Sequence, residues 1–74
     1  MHLVNCFRHD GSFIIGGWVT ESTFQDWVRE HSHARSEEAL ERYLACAQGM
    51  WDDASSVLWT EWMGDVKVTI QRTN

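Results

Sequence analysis

Two turn dipeptides, each set between runs of branched and aromatic residues, constrain this chain more than any other feature. Asp10-Gly11 divides "HLVNCFRHDGSFIIGGWV", and Gly64-Asp65 divides "VLWTEWMGDVKVTIQR". Tight hairpin turns need positive φ at one or both central residues, which glycine adopts at no steric cost. The first dipeptide suits a type I′ turn and the second, with glycine leading, a type II′ turn. Both flanks of each are rich in Val, Ile, Trp, Phe and Thr, so each stretch reads as a β-hairpin. Strands are expected at about 2–8, 13–19, 57–63 and 66–72.

A two-residue loop in the first hairpin sets Phe7 opposite Ile14 and Leu3 opposite Trp18 on one side of the sheet. Val4, Cys6, Ile15 and Val19 then take the other, and Gly16-Gly17 marks a bulge or a close backbone approach. In the second hairpin two registers compete. A two-residue loop pairs Met63 with Val66, Glu61 with Val68 and Trp59 with Ile70, which puts Glu61 on the apolar face and Trp62 outside against Lys67. A three-residue loop pairs Glu61 with Lys67 and Trp62 with Val66, better for charge and worse for turn chemistry. A helix over 55–63 competes with both, but the alternation Val66, Val68, Ile70 favours strands.

Between the hairpins the period changes to that of a helix. In "VTESTFQDWVREH", Phe24, Trp27, Val28 and His31 form one apolar stripe. Thr20 or Ser22 can cap this helix, expected over 23–31, and Ser22 with Gln25 fits a capping box. "SHARS" interrupts the pattern. A second helix, expected over 36–48, starts at Ser36 with Glu37 and Glu38 in its first turn, where the helix dipole favours carboxylates. Leu40, Tyr43, Leu44 and Ala47 make its buried face, and Gly49 is a natural terminator. The two segments form a pair or one kinked helix. Hairpin, helical middle, hairpin implies a single α+β domain over 1–74: an antiparallel sheet with one or two helices packed on one face.

A 74-residue chain buries only about 60% of its unfolded surface, so large side chains must fill the core. Five Trp, three Phe and one Tyr are available. Trp18, Trp27 and Trp59 are expected as core, whereas Trp51 and Trp62 are candidates for an exposed role. Cys6 and Cys46 lack paired spacing and are expected as reduced core thiols of a cytoplasmic protein. "MHLVNCFRHD" has no leader pattern, and no run approaches the roughly 18 apolar residues of a membrane span.

The net charge of −5 is unevenly placed: residues 21–65 carry ten carboxylates against Arg29, Arg35 and Arg42, a local −7. The stretch "MWDDASSVLWTEWMGD" holds three Trp and four carboxylates with no Lys or Arg. That balance disfavours direct phosphate binding, which draws on Lys and Arg, and favours a basic partner. Exposed Trp faces can stack bases, but the six basic residues include no adjacent pair.

Catalytic and metal readings find little. His31-x-His33, with Cys46 or Asp26, is at most half of a zinc site, and i,i+2 residues on a helix point apart. Nothing positions a Cys6 or Cys46 nucleophile against a histidine. Asp52-Asp53 and Glu37-Glu38 are adjacent pairs, unlike an acid/base pair held across a site. No enzyme activity, metal or cofactor is expected.

In its size, its acidic middle and the acidic-aromatic stretch just quoted, the chain resembles the small inhibitors encoded by phages and mobile elements, of which anti-CRISPR proteins are the best-known group. The resemblance implies a monomeric protein acting in the cytoplasm of a bacterial host. There its carboxylates would occupy a basic nucleic-acid-binding protein surface. The candidate partner-binding residues are Glu37, Glu38, Glu41, Trp51, Asp52, Asp53 and Trp62. A small structural or regulatory adaptor, homodimeric through one apolar hairpin face, is the alternative. High salt should weaken the inhibitor's binding and leave the adaptor's unaffected.

Overall fold

The computed structural model describes residues 1–73 and has the α+β architecture that the two turns imply. In chain order the elements are β1 (His2–Phe7), β2 (Phe13–Val19), α1 (Glu21–His31), α2 (Glu37–Asp52), β3 (Trp59–Met63) and β4 (Val66–Gln71). The four strands form one antiparallel sheet in the order β2-β1-β4-β3. The two hairpins therefore join through β1 and β4, in the register Val4↔Ile70 and Cys6↔Val68.

One sheet face meets the helices. Val4, Cys6, Met63, Val66, Val68 and Ile70 are fully buried there against Phe24 and Val28 of α1 and Ala47 and Met50 of α2. Trp27, Tyr43, Leu44, Trp51 and Trp59 pack around this centre, partly buried. No helix among the described residues is long and apolar enough to cross a membrane.

The second hairpin takes the two-residue register, with Met63↔Val66, Trp62↔Lys67 and Trp59↔Ile70. Gly64 has φ +60 and Asp65 is not in the positive-φ region, which is the type II′ arrangement. Glu61 lies on the helix side as that register demands. It is tolerated because β3 is an edge strand, and because the Trp59 indole N–H donates to its carboxylate at 3.0 Å.

The first hairpin departs from the two-residue type I′ turn. Arg8 N–H donates to Ser12 O at 2.8 Å, and Gly11 N–H to Arg8 O at 2.9 Å. His9, Asp10 and Gly11 are thus a three-residue loop, with φ +87 at Gly11 and Asp10 outside the positive-φ region. Phe7 consequently faces Phe13 rather than Ile14, and a register shift at Cys6/Phe7 absorbs the extra residue before Cys6↔Ile15.

The helices are two separate elements. Thr20 caps α1, its side chain accepting from Thr23 N, so Ser22 lies inside the helix and the Ser22/Gln25 capping box does not form. Ser36 caps α2 through Ala39 N at 3.1 Å. Gly49 does not end α2, which continues to Asp52 with Asp53 as its C-cap. A mid-helix glycine costs about 1 kcal/mol. The extra turn offsets that cost by burying Met50 fully and Trp51 partly.

Cys6 is buried and Cys46 exposed, both as free thiols, so Cys46 is not the core residue its composition suggests. Burial pushes the Cys6 thiol up to about 12, and Cys46 is raised by partial desolvation and by the Glu61 carboxylate. Iodoacetamide at about pH 8 is therefore expected to label Cys46 in the folded chain, more slowly than an unfolded thiol, and Cys6 only on unfolding. Peptide mass mapping checks this, and equal labelling of both thiols would contradict it.

Candidate functional site

Helical periodicity brings Glu37, Glu38 and Glu41 to the outer side of α2, all exposed. Glu37 and Glu41 are i,i+4 neighbours about 6 Å apart. Arg42, also exposed, makes no ion pair with Glu38 among the described residues. Asp52 and Asp53 are exposed at the other end of the helix, and eleven residues from Glu41 to Asp52 correspond to a rise of about 16 Å. The acidic candidates are therefore two clusters on one helix.

The second cluster has a member that sequence reasoning missed. The Gln48 side-chain amide donates to Asp52 Oδ1 at 3.0 Å and also to the Glu21 carboxylate, while Gln25 donates to Gln48 Oε1 at 3.0 Å. The antiparallel packing of α1 and α2 thus sets Glu21, from the first turn of α1, beside Asp52 at the end of α2. No local signal joins residues so far apart in the chain.

The two clusters differ energetically. Glu37 and Glu38 occupy the positive end of their helix dipole, which accounts for them without any partner. Asp52 and Asp53 occupy the negative end of theirs, with no basic residue in the last turn. Carboxylates there are unfavourable by a few tenths to about 1 kcal/mol each.

The aromatic candidates separate. Trp51 is half-buried, its ring 4.1 Å from His2 and 6.0 Å from Phe24 between centroids, because continuation of the helix past Gly49 turns it inward. It packs against the core and keeps part of its surface exposed. Trp62 is 49% exposed on the sheet face away from the helices, stacked on His9 at 4.7 Å and with Lys67 Nζ 6.0 Å from its ring. Trp18, expected in the core, is 50% exposed on that same face. Its partner Leu3 and neighbours Phe7 and Phe13 share it.

A cleft of about 610 Å³ lies where both hairpin turns meet the α1–α2 connection, lined by Arg8, His9, Asp10, Ile14, His31, His33 and Asp65. Asp65 lies 3.1 Å from His33 Nδ1 and 3.9 Å from His9 Nε2. His33 is held at φ +49. Among the described residues no three His, Cys, Asp or Glu side chains converge as metal ligands.

Comparison with protein-family models, with curated proteins and with solved structures returns no match to this chain. The functional reading therefore rests on the surfaces themselves.

Proposed function

We propose that this chain is a small acidic protein-binding inhibitor, without catalysis of its own, that occludes a basic nucleic-acid-binding surface on a partner complex. The observation that carries this reading is the end of α2. Asp52 and Asp53 stand where the dipole of α2 disfavours negative charge and no basic side chain of the last turn offsets it, and the Gln48 amide ties Asp52 to Glu21, which sits at the favourable end of α1. Charges placed where they cost local stability are better explained by what they bind than by what they hold together. Glu37, Glu38 and Glu41 extend the acidic side along the same helix. Exposed ion pairs contribute about 0–1 kcal/mol each, so these charges act chiefly on encounter and partner selection.

The test compares the parent with Asp52→Lys/Asp53→Lys and Glu37→Lys/Glu38→Lys as baits for nucleic-acid-binding complexes in bacterial lysate. Recovery is expected to fall on the order of tenfold for the aspartate variant, with a smaller loss for the glutamate variant and for the parent at high salt. The aspartate variant should also unfold at equal or slightly higher urea concentration than the parent. Undiminished recovery by a folded variant would leave the acidic side as a solvated face.

A further inference from the structure

We infer that the uncovered face of the sheet is a self-association surface, on which a second copy of this chain packs sheet against sheet. Pairing across the strands arranges that face in three rows. Trp18, Leu3 and Gln71 form one, Gly16, Asn5, Thr69 and Thr60 the next, and Phe13, Phe7, Lys67 and Trp62 the third. The outer rows are ridges of large side chains, with Phe13 56%, Trp18 50% and Trp62 49% exposed. The middle row is lower: Thr69 is only 7% exposed, and at its β2 end the Asn5 side chain and the Phe13 ring lie over Gly16, so the open part of the trough runs over Thr69 and Thr60. Rows two residues apart on a strand are separated by about 6.6 Å. The Trp62 end of the aromatic ridge of one copy can therefore lie over Thr69 and Thr60 of another while its own Thr69 and Thr60 receive the partner's ridge. Such a match is isologous, as a two-fold dimer requires.

Charge selects the same occupant. These three rows contain no carboxylate in a chain of net charge −5, and their one cation, Lys67, already lies 5.1 Å from the Phe7 ring. Two copies meeting through their helices would bring one acidic layer against another. Meeting through their sheets places both acidic layers outermost. A nucleic-acid strand would also find rings to stack on, but it needs a basic groove, and Lys67 is the one charged side chain in the rows.

The area sets the strength. Four strands of about six residues cover about 20 by 19 Å, on the order of 400 Å² in projection. This lies below the roughly 800 Å² per partner of a standard stable interface. The expected dimer is consequently weak, dissociating in the micromolar range. It replaces the monomer expected from sequence with a bivalent particle bearing an α2 surface on each side, and it stands whether or not those surfaces bind anything.

Sedimentation velocity on the full chain, from about 1 to about 200 µM, tests this. The parent should pass from the 8.6 kDa monomer to twice that mass, with a midpoint that shifts less than twofold between about 0.15 and 0.5 M salt. Phe13→Glu/Trp62→Glu should remain monomeric throughout, its fold checked by the protection of Cys6 from labelling. A parent monomeric at every concentration, or a double variant that dimerises as well as the parent, would overturn the inference. Growth beyond the dimer would overturn it in favour of edge pairing through β2 or β3. A monomeric parent whose tryptophan fluorescence is quenched by oligo(dT) would overturn it in favour of single-stranded nucleic acid.

Discussion

Alanine in place of Gly64 is expected to destabilise the domain by about 2–5 kcal/mol. Two effects combine there. The residue sits at φ +60, a conformation that costs a side-chain-bearing residue about 1–2 kcal/mol. A Cβ would also fall well inside contact distance of the Ser32 carbonyl oxygen, with the Tyr43 ring 3.3 Å away on another side. That carbonyl accepts the Asp65 N–H at 3.0 Å, so it cannot retreat without breaking the bond that docks the second hairpin on the α1–α2 connection. Gly11 supplies the control. It has φ +87, but a Cβ added there would meet nothing within 4 Å, so alanine incurs the backbone cost alone. Urea unfolding followed by tryptophan fluorescence should show Gly64→Ala losing at least about 1 kcal/mol more than Gly11→Ala at an unchanged m-value. Equal losses would mean that the close approach to Ser32 does not matter.

That contrast also shows what was legible in the sequence. Both hairpins could be read because glycine at a turn and β-branched flanks are local signals. For Gly64-Asp65 the turn chemistry prevailed over charge pairing, since an edge strand and the Trp59 indole make room for Glu61. Asp10-Gly11 misled because the same dipeptide fits the last two positions of a three-residue loop, and a register shift farther along the strands decides between them. Gly49 misled because its local cost of about 1 kcal/mol is outweighed by burial of Met50 and Trp51, and that burial exists only once the sheet is beneath them. The exposure of Glu37, Glu38 and Glu41 followed from helical period alone. Trp51 could not be placed without the true helix end, nor Trp18 without knowing which face the helices cover. Glu21 joined the candidates through helix pairing, to which hydrophobic period is blind.

Phe24→Ala is expected to be the most damaging truncation in the core, at about 3–5 kcal/mol. Phe24 is fully buried on the inner side of α1, and its ring centroid lies 6.0 Å from that of Trp51. It therefore joins α1, the late turn of α2 and the sheet at one point. Truncation leaves a cavity that its neighbours cannot easily close: Trp51 is braced from the other side by His2, and Val4 and Ile70 are fixed in the central strand pairing. A stability of about 0.05–0.15 kcal/mol per residue gives a 74-residue chain roughly 4–11 kcal/mol in all. The variant is thus expected to lie near its unfolding midpoint at the low end of that range. Phe24→Leu keeps most of the volume and should cost less than half as much. Urea titration gives the losses, and near-ultraviolet circular dichroism reports the packing of the aromatic side chains, Trp51 among them. A Phe24→Ala loss below about 1 kcal/mol, with that signal unchanged, would show that Phe24 does not join the layers in this way.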